Sequence, residues 1–215
     1  MESRNAGIAW ACEIDLPVSP NTRCSPVEPP RYNSVCTDDL QIHCRKAPIV
    51  SRCFLGIDIG GSSIKAGVVT EAGKVLTSRR IPSVLNEDLE AGVSRICSTA
   101  EELIAESGVP RDVIRAIGVA APGTMDAEAG IVHHPFNLPG WENVPLASLL
   151  SQRLARPAFL QNDANTAAYG EHWIGRARSA SSAMLWTLVT GVGSGIVFDG
   201  KIWTGDHSQA GECGH

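Results

Sequence analysis

The chemistry of this chain is concentrated at a few polar positions set between apolar runs. Asp163 is the first of them, within Gln161-Asn162-Asp163-Ala164-Asn165, directly after a short apolar stretch at 158–160. That stretch reads as a buried strand, and a helical pattern follows over 165–175, so the Asp163 carboxylate stands at the carboxyl end of a strand and opens a helix. Ligands of open α/β sheets gather at such strand ends, and the helix dipole favours an ionised group there. A carboxylate so placed can accept the proton of a hydroxyl during phosphoryl transfer, or it can serve only as a helix cap. The local residues leave both readings open.

A polar turn, Gly60-Gly61-Ser62-Ser63, lies between apolar runs at 54–59 and 64–69, with Asp58 just before it. β-Branched and aromatic residues on both sides of a Gly-Gly turn predict a hairpin. Glycines there bring backbone N–H groups within reach of an anion, Ser62 and Ser63 add hydroxyl donors, and Asp58 is placed to hold a hydrated Mg²⁺. The alternative is a turn that only reverses the chain. A second glycine-rich stretch, Thr190-Gly191-Val192-Gly193-Ser194-Gly195, is expected to turn another hairpin between strands at 183–190 and 195–198. Asn137, Asn162, Glu212 and His215 carry hydrogen-bonding groups that suit the hydroxyls of a sugar, although each taken singly also fits a surface or structural role. Trp141, Trp173, Trp186 and Trp203 read as core or rim aromatics.

The elements that must position these residues follow from periodicity. A third strand is expected at 74–81. A helix is expected over 86–107, capped by Asn86 and stopped by Gly108. A continuous apolar strand at 114–121 ends in Pro122-Gly123, followed by a short strand at 131–134, a helix over 145–154, and a last strand at 200–203. Two halves that each open with a glycine-turned hairpin imply two similar domains facing one cleft, where the turns converge on a polyphosphate.

Residues 1–52 differ from the rest. They hold six of the thirteen prolines and no persistent helical or strand pattern, so they read as a disordered leader outside the fold. Five of the seven cysteines (Cys12, Cys24, Cys36, Cys44 and Cys53) fall within the first 53 residues at wide, irregular spacings, which supports neither a zinc site nor a disulfide framework. A formal charge of −5 without a basic cluster supplies no general attraction to nucleic acid. No apolar run reaches the length of a bilayer span, and the first thirty residues lack the pattern of a secretory signal. The expectation is a soluble cytoplasmic protein with no nucleic-acid or membrane partner. Because a domain begun near Ile174 has only about forty residues, below the size at which a core stabilises itself, the chain reads as truncated.

In order along the chain, Asp58-Ile-Gly-Gly-Ser-Ser-Ile-Lys65, Ala120-Ala-Pro-Gly123, Asn137-Leu-Pro-Gly-Trp141, Asn162-Asp-Ala-Asn165, Thr190-Gly-Val-Gly-Ser-Gly195 and Gly211-Glu-Cys-Gly-His215 resemble the ROK family of bacterial sugar kinases and sugar-responsive repressors. The resemblance covers residues 54–215. It implies an α/β, actin-like ATPase (ribonuclease H-like) fold, with a complete N-terminal sugar-kinase domain at 53–173 and the beginning of a nucleotide domain at 174–215. It implies an ATP- and Mg²⁺-dependent kinase that phosphorylates the 6-hydroxyl of glucose or a related hexose, with Asp163 as catalytic base. Asp58, Gly60, Gly61, Ser62 and Ser63 would form one phosphate loop, and Thr190, Gly191 and Gly193 the other. Asn137, Asn162, Glu212 and His215 would hold the sugar. In a full-length form, His215 would join a downstream cysteine cluster around a structural zinc, and a homo-dimer would form. Cys213 stands where the family usually carries an aliphatic residue, and residues 1–52 lack the repressors' DNA-binding helices. A sugar-binding regulator or an inactive fragment without turnover is the alternative.

Overall fold

The computed structural model describes residues 52–83, 88–135, 138–188, 191–206 and 208–214. The expectations placed on residues 1–51, Asn86, Asn137, Thr190 and His215 therefore lie outside the described residues. The central sheet is built from β1 (Cys53–Ile59), β2 (Ser63–Thr70), β3 (Val75–Pro82), β4 (Ile114–Ala121) and β7 (Ala158–Asn162), in the order β3-β2-β1-β4-β7. β2 runs antiparallel to both β1 and β3, whereas β4 lies parallel to both β1 and β7. β1 occupies the middle and is covered on both faces, which explains why its sequence is apolar but for Asp58 near its carboxyl end.

Two helices cover one face. α1 (Leu89–Glu106) repeats buried residues at helical spacing, with Val93, Ile96, Ala100, Leu103 and Ile104 turned toward Leu55, Ile57 and Ile59 of β1. Its N-cap is Asp88, whose Oδ1 accepts from the Ala91 amide at 2.8 Å; that corrects the cap expected at Asn86. Gly108, at φ +70°, ends the helix as predicted. α2 (Leu146–Leu154) adds Leu146 and Leu150 to the same core. On the opposite face, Phe54, Val69 and Ala116 form a smaller cluster against Phe159 and Trp173.

The remaining elements include one the sequence did not announce, the strand β5 (Thr124–Asp126), which pairs with β6 (Ile131–His134) directly after Pro122-Gly123. α3 runs from Asp163 to Trp173, two residues earlier at each end than its periodicity indicated. It packs on a three-stranded sheet of β8 (Ser182–Leu188), β9 (Val192–Phe198) and β10 (Lys201–Ile202). The contact is close at Gly195, where a Cβ would stand 2.4 Å from the Ala164 carbonyl oxygen and 2.8 Å from Asn165 Cα. The other face of this sheet is apolar and open. Met184, Trp186 and Leu188 alternate outward on β8, beside exposed Val192, Phe198 and Trp203. Trp141 is a core aromatic and Trp173 lies partly buried, as expected, whereas Trp186 and Trp203 are exposed.

Candidate functional site

Strand register brings the polar motifs to one edge. Asp58 on β1 and Gln161 on β7 are both cross-strand neighbours of Ala120 on β4, so the carboxyl ends of three parallel strands align there. Two strand spacings, about 10 Å, separate the Asp58 and Gln161 backbones. From this edge emerge the Gly60-Gly61 turn, the Pro122-Gly123 turn and the start of α3. At Gly123, with φ +88°, a Cβ would strike the His134 carbonyl oxygen at 2.2 Å, so only glycine lets the chain turn into β5.

A cleft of about 340 Å³ opens above this edge, lined by Gly123, Thr124, Asn162, Asp163, Ala164, Gly193, Ser194, Gln209 and Glu212. Four of the predicted site residues, Asn162, Asp163, Gly193 and Glu212, thus come together. Thr124, Ser194 and Gln209 were not singled out from the sequence. Thr124 follows a predicted turn and Ser194 follows the predicted site residue Gly193, so position relative to those motifs was the available signal; Gln209 offers none.

The first turn of α3 shows which residue caps the helix. Asn162 is the N-cap, its Oδ1 accepting from the backbone N–H groups of Ala164 at 2.9 Å and Asn165 at 3.2 Å. Thr166 Oγ1 donates back to the Asn162 carbonyl at 2.7 Å. Asp163 is the first helical residue, and its Oδ1 accepts from the Ala164 amide at 2.8 Å. Asp163 is an exposed residue that lines the cleft, with protein atoms crowded around its carboxyl. That crowding, which displaces water from the carboxyl, does more than the charges of Asp58 and Glu212 nearby to push its pKa up to about 6, against the lowering effect of the Ala164 hydrogen bond.

Glu212 is held at the cleft through β9. Ser194 donates from its backbone N–H and from Oγ to the Gly211 carbonyl, at 3.1 Å and 2.7 Å. Gly211 adopts φ +115°, and a Cβ there would approach the Ser194 carbonyl oxygen to 2.6 Å. Cys213 is exposed, with Sγ 3.2 Å from Ser194 Oγ.

The first glycine turn lies beside the cleft and does not line it. Gly60 donates to the Ser63 carbonyl at 3.0 Å, and a Cβ at Gly60 would meet that oxygen at 2.9 Å. Neither Gly60 nor Gly61 has a positive φ, so at Gly60 it is close packing that calls for glycine. Two cations accompany the turn. Lys65 Nζ donates to Asp58 Oδ2 at 2.9 Å, and its cross-strand partner Arg80 donates from Nε to Ser63 Oγ at 2.9 Å. The second glycine stretch also differs from expectation. Gly193, Ser194 and Gly195 lie within β9, because the strand begins at Val192. Of the expected loop only Gly191 is a described turn residue, and a Cβ there would meet nothing within 4 Å.

Among the described residues, no three His, Cys, Asp or Glu side chains stand close enough to bind a metal together. Asp58, already paired with Lys65, suits a water-mediated contact to a Mg²⁺ carried by a polyphosphate rather than a protein-only cage. Among the described residues no helix is long and apolar enough to cross a membrane.

Comparison with known proteins agrees with this geometry. Over 162 residues the chain is 35% identical to the glucokinase of Thermotoga maritima, covering 75% of this chain and 50% of that protein. It is 31% identical over 162 residues to the xylose repressor of Caldicellulosiruptor bescii, covering 75% of this chain and 40% of the repressor. The crystal structure of a ROK family glucokinase from Streptomyces griseus in complex with glucose and AMPPNP superposes with a TM-score of 0.67 at 34% identity, over 76% of this chain and 50% of that one. The chain spans about half the length of the curated glucokinases it matches. The five-stranded mixed sheet is accordingly that of the actin-like ATPase fold of the ROK hexokinases. With the ROK family profile matching residues 54–215, the chain belongs to the ROK family.

Proposed function

We propose that this chain carries the sugar-binding and base-bearing part of an ATP-dependent hexose kinase acting on the 6-hydroxyl of glucose or a related sugar. The observation that carries the reading is Asp163, which lines the cleft with its pKa raised to about 6. A general base works best when its pKa lies near the operating pH, because it is then both deprotonated and able to hold the proton. In the reaction, the sugar hydroxyl oxygen bonds to the γ-phosphorus while Asp163 takes the hydroxyl proton. The bond from phosphorus to the bridging oxygen breaks, and its electron pair leaves with ADP. Glu212 and the Nδ2 of Asn162 face the sugar, since Asn162 Oδ1 is occupied by the cap. Asn137 and His215 are assigned to the same sugar site. Gly60, Gly61, Ser62, Ser63, Thr190, Gly191 and Gly193 are assigned to the phosphates, with Lys65 and Arg80 adding positive charge at the first turn. A Mg²⁺ held near Asp58, when bound with the nucleotide, would offset repulsion between that carboxylate and the phosphates. We assign residues 53–173 to the sugar-kinase domain and 174–215 to the beginning of the nucleotide domain.

Glucose-dependent formation of ADP, measured with the chain and its Asp163→Asn variant, tests the proposal. Loss of the base should slow turnover by about 10²–10⁴-fold; equal rates would overturn the assignment. Similarity to the xylose repressor favours a second reading, a sugar-binding regulator. Sugar binding without nucleotide turnover would select it.

A further inference from the structure

We infer that Gln161 and Asn165 are positioning residues, a buried amide pair that clamps the strand-to-helix turn and so fixes Asp163 in the cleft. The inference rests on the reading of Asp163 as the base. Gln161 and Asn165 are only 5% and 3% exposed, and neither lines the cleft. Polar side chains at that depth are costly unless their hydrogen bonds are made. Gln161 Oε1 makes two of them, accepting from the Asn162 backbone N–H at 2.9 Å and from Asn165 Nδ2 at 3.2 Å. One oxygen therefore ties together the residues before and after Asp163. The arrangement does not serve core stability, because Asn165 Oδ1 is buried with no hydrogen-bond partner, and an apolar side chain would remove that orphan acceptor. What the amide supplies instead is the bond to Gln161. From the far side, Gly195 of β9 presses against Asn165 Cα, so the turn is held between the clamp and the second sheet.

The test follows the Asp163 side-chain carboxyl by carbon-13 NMR against pH, in metal-free buffer, for the 215-residue chain and variants. The charged groups that face Asp163, Asp58 of β1 with its partner Lys65 of β2, and Glu212 beyond β9, stay unchanged throughout. Gln161→Met keeps the volume and removes the acceptor, and Asn165→Ala removes the donor. In each, the freed turn lets the carboxylate move toward water, and its titration midpoint should fall by about one pH unit or more. Gln161→Glu keeps an acceptor for both donors, and its midpoint should stay at the parent value or rise. A purely structural role would lower thermal stability and leave the midpoint of the folded protein in place, so an unmoved midpoint in both Gln161→Met and Asn165→Ala overturns the inference. Should either variant unfold, Asn165→Ser, whose hydroxyl is too short to reach Gln161, is read in the same way. Turnover is scored separately. A shifted midpoint in a chain without glucose-dependent turnover sinks the kinase and leaves the clamp, whereas turnover with an unmoved midpoint sinks the clamp alone.

Discussion

Replacing Asp163 with asparagine should make this protein more stable at alkaline pH. The folded state raises the carboxyl to about 6, so the native chain holds this proton more tightly than the unfolded chain does. The resulting penalty is absent below the unfolded value of about 3.9, grows as pH rises, and is complete above 6. For a group sealed from water the difference corresponds to about 3 kcal/mol. Asp163 meets water at the cleft mouth, and screening reduces the expected contribution to about 1–1.5 kcal/mol. Asparagine has the same shape, carries no charge, and retains an Oδ1 to accept from the Ala164 amide. Urea unfolding at pH 4 and pH 8 provides the assay. At pH 8 the variant's midpoint should rise with an unchanged slope, by about 0.5–0.7 M for a slope near 2 kcal/mol/M, and at pH 4 the two proteins should nearly coincide. An Asp163→Asn protein that gains nothing between pH 4 and pH 8 would refute the claim that crowding of the carboxyl, aided by Asp58 and Glu212, destabilises the ionised form.

Three further outcomes are expected. Gly195→Ala should destabilise by about 1–3 kcal/mol in thermal denaturation, because its Cβ would meet backbone atoms of α3, while Gly191→Ala should stay within about 0.5 kcal/mol because its Cβ meets nothing within 4 Å. Asn162→Ala should cost about 1 kcal/mol by removing the cap of α3, and Asn162→Ser should recover most of it, as read by chemical denaturation. Leu188, 74% exposed on the open face of the three-stranded sheet, should tolerate Leu188→Lys within about 0.5 kcal/mol, with reduced self-association in sedimentation at high concentration.

Much of the central sheet was legible because its strands are buried on one or both faces and announce themselves by composition. Ile114–Ala121 is apolar but for the exposed Arg115, and the structure gives it the ends its composition indicates. Helix α1 was legible for the related reason that one stripe of it enters the core, but its cap was not, since Asn86 and Asp88 are equally good capping types two residues apart. The start of α3 was misplaced because Asp163 and Ala164 carry no periodic signal, and the cap at Asn162 depends on where its side chain turns. The second glycine stretch was read as a turn because glycines usually mark one. In β9 they serve another end: Gly193 and Gly195 make room for Thr187 and for the backbone of α3, a tertiary demand invisible to local pattern. Trp186 and Trp203 were expected in the core or at its rim because large aromatics are usually covered, and composition does not reveal that one sheet face stays open. The meeting of Asn162, Asp163 and Glu212 in one cleft was carried by the order of motifs, whereas Gln209 joins them only through folding.

Where β9 crosses α3 at Gly195, main chain lies against main chain. Side chains between two elements act as a cushion, since a changed rotamer can absorb a small slide; here nothing of that kind intervenes. Any displacement of β9, whether from an occupant of its open face or from the 209–214 segment tied to Ser194, would be handed undamped to the carboxylate three residues or fewer away from the point of contact.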